Sequence, residues 1–280
     1  MSPLRSGWPT TRRSSSPPRR PRLRKVPSEP QPLLSLQGYV RIGKRKADGR
    51  PGQTYWAGNV PEATLELTAE SSDKKESFSG NRGKYHRMYT ERGGTFSGTF
   101  DEWSLRVLGL MLHSQQMSTA SGSVTNEAFP SLLVVGDEIA LDHPYASSLV
   151  LTDSTGTPVT VDTDDYELVG HNDRIVRIKG LASYTQPFKA AYTYAGYNTL
   201  DFFSQNPEEV YVIFDGIDTE YNQPVLIDLF RTQFNPVTGL GLINEELGSL
   251  PFSAELLFDP LNVDENGKGG YARFLSKEPA

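Results

Sequence analysis

Polar and apolar residues alternate most strictly between positions 62 and 70. Ala63, Leu65, Leu67 and Ala69 fall on one side, and Glu62, Thr64, Glu66, Thr68 and Glu70 on the other. Successive side chains of a strand point to opposite faces, so this pattern predicts a strand with one core face and one wet face. The division returns from 95 to 101, where Phe96, Gly98 and Phe100 alternate with Thr95, Ser97, Thr99 and Asp101. Between the two runs, 71–84 is polar, charged and Gly-containing. It is too long for a tight turn, and it predicts a mobile loop or arm that leads into a strand over 85–100. Upstream, 38–46 and 54–57 read as a hairpin closed by the Gly-rich turn between them.

The period then changes. From 102 to 113, Trp103, Leu105, Val107, Leu108, Leu110, Met111 and Leu112 leave little polar surface, predicting a helix that must be covered, with Asp101 as its N-cap. Residues 118–123 read as a linker. Short strand-like runs at 138–141, 148–152, 157–161, 166–169, 174–179 and 188–194 predict a small sandwich over 124–196. A short helix at 199–204 is stopped by Pro207. Strands resume at 210–214, 225–234, 240–244 and 252–258, before a Gly-rich end. The fold class is therefore mainly β, an antiparallel domain interrupted by one helix and by an inserted module.

Composition agrees with a turn-rich β protein, since 25 Gly and 20 Pro stand in 280 residues. The complete lack of Cys removes disulfides, thiolate metal sites and cysteine nucleophiles. No apolar run approaches the roughly 18 residues of a membrane span, and the N-terminus has no secretory apolar core, so the expectation is a soluble chain without membrane insertion. The net charge of −6 hides a division. Residues 1–35 carry eight basic side chains against Glu29 alone, a net +7, together with eight prolines, and the remainder stands at −13. The first 35 residues are expected to be a disordered basic extension. The acidic remainder is expected to repel nucleic acid.

No constellation for chemistry emerges. The four histidines are dispersed, and Asp162, Asp164, Asp165 and Glu167 lack the spacing of a calcium loop. Gly80-Asn81-Arg82-Gly83-Lys84 is two residues short of a phosphate loop and continues with Tyr85. The carboxylate pairs Asp101-Glu102, Glu208-Glu209 and Glu245-Glu246 place adjacent side chains on opposite faces of a strand. The expectation is a non-enzyme with no catalytic residues, metal or cofactor. Surfaces without chemistry, with aromatic residues at 10%, suit self-association.

Gly58-Asn59-Val60-Pro61-Glu62, the alternating Leu65 and Leu67, the charged stretch to Ser79-Gly80 and the passage from Thr95 into Leu112 resemble the major tail tube proteins of long, non-contractile-tailed bacteriophages. Phe214-Asp215-Gly216, 224–231, Asn235-Pro236, 240–244 and 252–259 are similar to the closing strands of the same family, so the resemblance spans about 36–275. It implies a sandwich or barrel-like tube core from 36–122 and 197–275, flanked by the helix and carrying 124–196 as an inserted β-sandwich. It further implies six copies closing into rings that stack into a hollow virion tube, assembled in the bacterial cytoplasm. The partners implied are further copies of the chain, a tape measure protein, tail tip and tail terminator proteins, and viral DNA that passes through without specific binding.

Under this resemblance Phe78, Arg82, Tyr85 and Tyr89 are expected to contact a neighbouring subunit. Glu62, Thr64, Glu66, Thr68, Glu70, Thr95, Ser97, Thr99 and Asp101 are expected to face the lumen. Two alternatives stay open. One is the tube of a bacterial secretion or contractile injection machine. The other is a glycan-binding module suggested by Trp56, Tyr145, Tyr184 and Tyr192.

Overall fold

The computed structural model of the chain describes residues 34–181, 183–245 and 247–277. The basic extension 1–35 lies outside them except for its last two residues. Of these, Ser35 already bonds to the fold, its carbonyl accepting from the Thr219 N–H at 2.8 Å.

In chain order the elements are β1 (Leu36–Arg45), β2 (Pro51–Trp56), β3 (Glu62–Lys75), β4 (Lys84–Phe100) and α1 (Leu105–Met111). There follow β5 (Gln116–Thr119), β6 (Gly122–Ala128), β7 (Glu138–Ala140), β8 (Ala146–Thr152), β9 (Tyr166–Val169), β10 (Ile175–Ile178), β11 (Lys189–Tyr194) and β12 (Tyr197–Leu200). The chain closes with β13 (Glu209–Asp218), β14 (Gln223–Phe234), β15 (Leu250–Leu256) and β16 (Ala272–Ser276). The protein is mainly β, and among the described residues the strand pairing is antiparallel throughout and there is one α-helix.

The main sheet runs β2-β1-β13-β14-β15-β4-β3, with β16 also paired to β14. It curls so that Leu65 and Phe96 of β3 and β4 face Val40, Val212 and Phe214 of β1 and β13 across a cavity of about 700 Å³. Phe100 stacks on Phe252 at 4.4 Å, and Phe96 and Phe234 tilt against the same ring. Gly98 permits this close approach, because a Cβ there would strike the Glu62 carbonyl oxygen and the Phe252 ring. The helix covers the core with Val107 and Met111, four residues apart on one face.

That helix is shorter than its apolar run predicts. Its N-cap is Ser104, whose hydroxyl accepts from the Val107 N–H at 3.2 Å. Asp101, the expected cap, is held elsewhere, bonded to Asn59 through its carboxylate (2.6 Å) and its N–H (3.0 Å). His113 ends the helical stretch with a left-handed backbone (φ 49°) and bonds the Phe234 carbonyl at 2.9 Å through Nε2.

Residues 116–200 form the second unit. Its sheets, β7-β10-β9 and β6-β11-β8, enclose a hydrophobic cluster that shares no residue with the main core and includes Leu141, Leu151, Val176, Ile178 and Phe188. The expected linker 118–123 is mostly strand, and the expected short helix 199–204 is instead the end of β12 followed by a turn. β5 and β12 pair with each other from Thr119↔Tyr197 to Leu200↔Gln116, forming a two-stranded stem at the root of the insert. The run 157–161 makes only an isolated bridge, Thr152↔Thr160. The run 240–244 is not a strand. It belongs to a loop in which Leu242, Ile243 and Leu247 are almost wholly exposed.

Candidate assembly surface

The stretch 71–84, read as a loop, is strand at both its ends. β3 and β4 pair from Glu62↔Thr99 to Lys75↔Lys84, which shortens the unpaired tip to 76–83. At the base β4 is also paired to β15, but that pairing ends at Thr95↔Glu255. The last tie is the Tyr271 hydroxyl, which donates to the Arg92 carbonyl at 2.8 Å. Beyond it the hairpin is a two-stranded ribbon with no third strand among the described residues. Its β3 limb from Leu67 to Lys75 extends about 30 Å at about 3.3 Å per residue. A lone two-stranded ribbon is at best marginally stable in water.

Local devices shape the ribbon. The register shifts after Glu70↔Glu91 and again after Lys74↔His86, leaving Thr90 and then Tyr85 as extra residues. Such bulges re-aim side chains and increase twist. Tyr85 meets Phe78 edge-on at 6.1 Å, yet both remain open to solvent, at 71% and 80% exposure. The tip is closed by Glu76, which accepts from the Ser79 N–H (3.0 Å) and hydroxyl, while the Glu76 N–H donates to the Gly83 carbonyl. Gly80 and Arg82 take left-handed backbone there, so the stretch compared with a phosphate loop is a hairpin turn. Tyr89 is exposed beneath the Arg92 guanidinium, 5.6 Å from its ring centre, and Met88 is exposed beside it. All four residues expected to contact a neighbour thus stand on the free ribbon.

Asp73 accepts from Arg87 Nε and Nη2 at 2.8 and 3.2 Å and from Lys84. The Arg87 hydrogen bonds, followed by that of Lys84, hold its carboxyl well below the usual carboxylate range. A depressed folded pKa contributes stability that is present above the unfolded value of about 3.9 and lost as pH falls through the folded one. Ribbon order is therefore expected to persist unchanged from neutral pH to about 4 and to weaken below it. In a ¹³C titration the Asp73 carboxyl should show a midpoint below about 3.9, and one at or above that value would contradict the ion triad.

The base of the hairpin presents the polar row. Directly opposed residues share a face, so Glu62 lies beside Thr99, Thr64 beside Ser97 and Glu66 beside Thr95. The row crosses further strands, with Ser97 opposite Ser253, Thr95 opposite Glu255, and Glu255 opposite Gln233. Ser253, Glu255 and Gln233 were not evident in the sequence, because strands far apart in the chain reveal a common face only through their register. Thr68 and Glu70 continue the face of Glu66 onto the ribbon. Asp101 lies past the end of β4 and is tied to Asn59, so it borders the row without belonging to it.

The apolar side of β3 departs from expectation. Leu65 packs against the core, but Leu67 is 71% exposed and Ala63 and Ala69 are exposed as well. β3 is the last strand of its sheet, and beyond Leu65 nothing stands over it.

A cavity of about 730 Å³ lies between β1, β2 and α1. Three of its charged groups are already engaged, Lys44 with Glu208 at 2.7 Å and Arg106 over the Tyr55 ring at 5.6 Å. Burial pushes the Tyr55 hydroxyl up to about 12. Among the described residues, no group of three or more His, Asp or Glu is placed to hold a metal ion, and no helix is long and apolar enough to cross a membrane.

The sequence model of one family, described as Protein of unknown function UCP028589, matches residues 33–275. No curated protein matches the chain.

Proposed function

We propose that this chain, which belongs to the family described as Protein of unknown function UCP028589, is a structural subunit that assembles into stacked rings forming a hollow tube of the phage-tail type. The observation that carries this reading is the free ribbon. A two-stranded hairpin bearing exposed Leu67, Phe78, Tyr85, Met88 and Tyr89 gains its missing burial only against a partner.

The sheet edges favour a ring over a twofold pair. β2 and β3 end the main strand order and are two different strands, with β16 a further edge on β14, so joining β2 to β3 makes a heterologous contact, which forms a ring where the rotation between copies closes. Six copies per ring is what the resemblance to tail tube proteins implies. In such a tube the row of Glu62, Thr64, Glu66, Thr95, Ser97 and Glu255 would line the lumen, where the carboxylates repel phosphates, the hydroxyls add no positive charge, and DNA can slide.

Electron microscopy of the purified chain over a wide concentration range, with and without residues 1–35, tests the reading. Rings or hollow tubes are expected from both forms. A chain that stays monomeric in sedimentation at every concentration, with no filament in micrographs, would overturn it. Within intact tubes, Glu62→Lys with Glu66→Lys is expected to leave the particles unchanged in micrographs and to slow DNA delivery. Unaltered delivery would remove this row from the lumen.

A further inference from the structure

An open cleft of about 570 Å³ lies where the insert meets its stem, between the turn before β8, the β9–β10 turn and β12. Tyr145 and Tyr197 form an angled corner in its wall, ring centres 6.5 Å apart and planes at 58°, with Asp142, His171, Arg174 and Asn198 around them. Of the four aromatics singled out for glycan binding, only Tyr145 lines this cleft. Tyr192 is buried with its hydroxyl on Glu127, Tyr184 packs against the insert core, and Trp56 lies on β2 of the main sheet.

The Tyr197 ring and the Tyr145 backbone are held in place. The Tyr197 hydroxyl bonds His143 Nδ1 at 2.9 Å, and the His143 ring stacks on Tyr194 at 3.9 Å with planes within 4°. The His143 N–H in turn donates to the Tyr192 hydroxyl. Tyr145 is fixed by its backbone, its N–H donating to the Asn172 carbonyl at 2.6 Å and its carbonyl accepting from the Ala195 N–H. Its φ is +58°, a conformation that Gly adopts without cost and a side chain does not. The position nevertheless carries a large ring that is 44% exposed at the mouth of a cleft. Of the eight described non-Gly residues with such a φ, Tyr145 is the one that lines this cleft.

We infer that this cleft binds a neutral oligosaccharide. A rigid aromatic corner offers apolar faces to the C–H faces of a pyranose ring. The carboxylate, imidazole, guanidinium and amide groups around it supply the acceptors and donors that hydroxyls require. Anionic ligands are disfavoured, because 124–196 holds ten acidic side chains against four basic ones. The inference is independent of ring assembly and holds for a monomer as for a tube.

Isothermal titration of the full chain with tetrasaccharides of glucose, galactose, mannose and N-acetylglucosamine tests it, with inorganic phosphate and tetra-alanine as the other ligand classes. At least one tetrasaccharide is expected to bind one site per chain. Tyr145→Gly removes both the ring and the strain, so it should weaken binding roughly tenfold while Tm holds or rises. Asn198→Ala should weaken binding in the same direction, and Trp56→Ala should leave it unchanged. Binding by none of the tetrasaccharides, preference for phosphate or peptide, or full affinity in Tyr145→Gly would each overturn the inference.

Discussion

Replacing both Phe78 and Tyr85 with Ser is expected to leave a folded monomer that no longer assembles. The two rings lean on one another at the end of a ribbon that the main core does not cover, so the monomer loses little by their removal. In an assembly they become the anchors. Buried aromatics of this kind typically contribute about 2 kcal/mol or more each, so the pair is expected to raise the concentration needed for rings roughly 700-fold or more. Sedimentation velocity of the native and double-variant chains measures this shift, and thermal melts confirm that the variant is folded. Tyr85→Phe, which keeps the ring, should assemble as the native chain does. Unimpaired assembly by the double Ser variant would remove the ribbon tip from the interface.

The second large effect is expected in the fold itself. Asp259 is fully buried and receives Arg45 through two hydrogen bonds of 2.8 and 2.7 Å, the Leu261 N–H at 3.0 Å and Asn262 Nδ2 at 3.0 Å. Asn262 also donates to the Gly49 carbonyl, so this cluster pins the β1–β2 turn to the segment following β15. Asp259→Ala strands the Arg45 guanidinium at 13% side-chain exposure. Breaking a buried pair from one side costs about 3–5 kcal/mol, and Tm is expected to fall by about 10 °C. Replacing both partners with apolar residues, Arg45→Met with Asp259→Leu, should recover part of that loss, because no charge is then left unpaired while the Leu261 N–H loses its acceptor.

The pair also sets an acid limit. Burial alone would raise the Asp259 carboxyl, but the hydrogen bonds from Arg45, Asn262 and the Leu261 N–H outweigh it and leave the group below its ordinary range. This stabilisation is present above about pH 3.9 and lost as pH falls through the folded pKa. Denaturant midpoints of the native chain should therefore drop in that window, and those of the double apolar variant should drop less.

Local patterning revealed much of this molecule. The alternation from 62 to 70 and from 95 to 101 placed Glu62, Thr64 and Glu66 on one face with Thr95, Ser97 and Thr99, and the register confirms that they are neighbours. Period alone does not tell how far a neighbouring strand extends. Leu67 and Ala69 have the spacing of core residues, yet β3 is an edge strand and they are uncovered. The polarity of 71–84 suggested a loop because a solvated ribbon is polar on both faces. Its strand pairing is fixed by the cross-strand Asp73–Arg87 contact and not by an apolar face.

Non-local partners account for the other differences. β5 and β12 are each four residues long and have no signal of their own, and each is a strand only because the other lies beside it. The apolar run 240–244 has strand composition but no partner, and it remains a loop. Tyr197 and His143 stand 54 positions apart and become neighbours only in the folded insert. No periodicity within either segment brings them together.

The stem gives the chain a socket. Outgoing and returning segments run side by side as β5 and β12, and Thr119 stands directly opposite Tyr197. Paired residues of antiparallel strands lie about 4.5–5.5 Å apart between Cα atoms. Any compact module whose own ends are adjacent could be spliced there without altering the main sheet. The same layout would let recombination exchange the whole insert in one event while the main sheet stays constant.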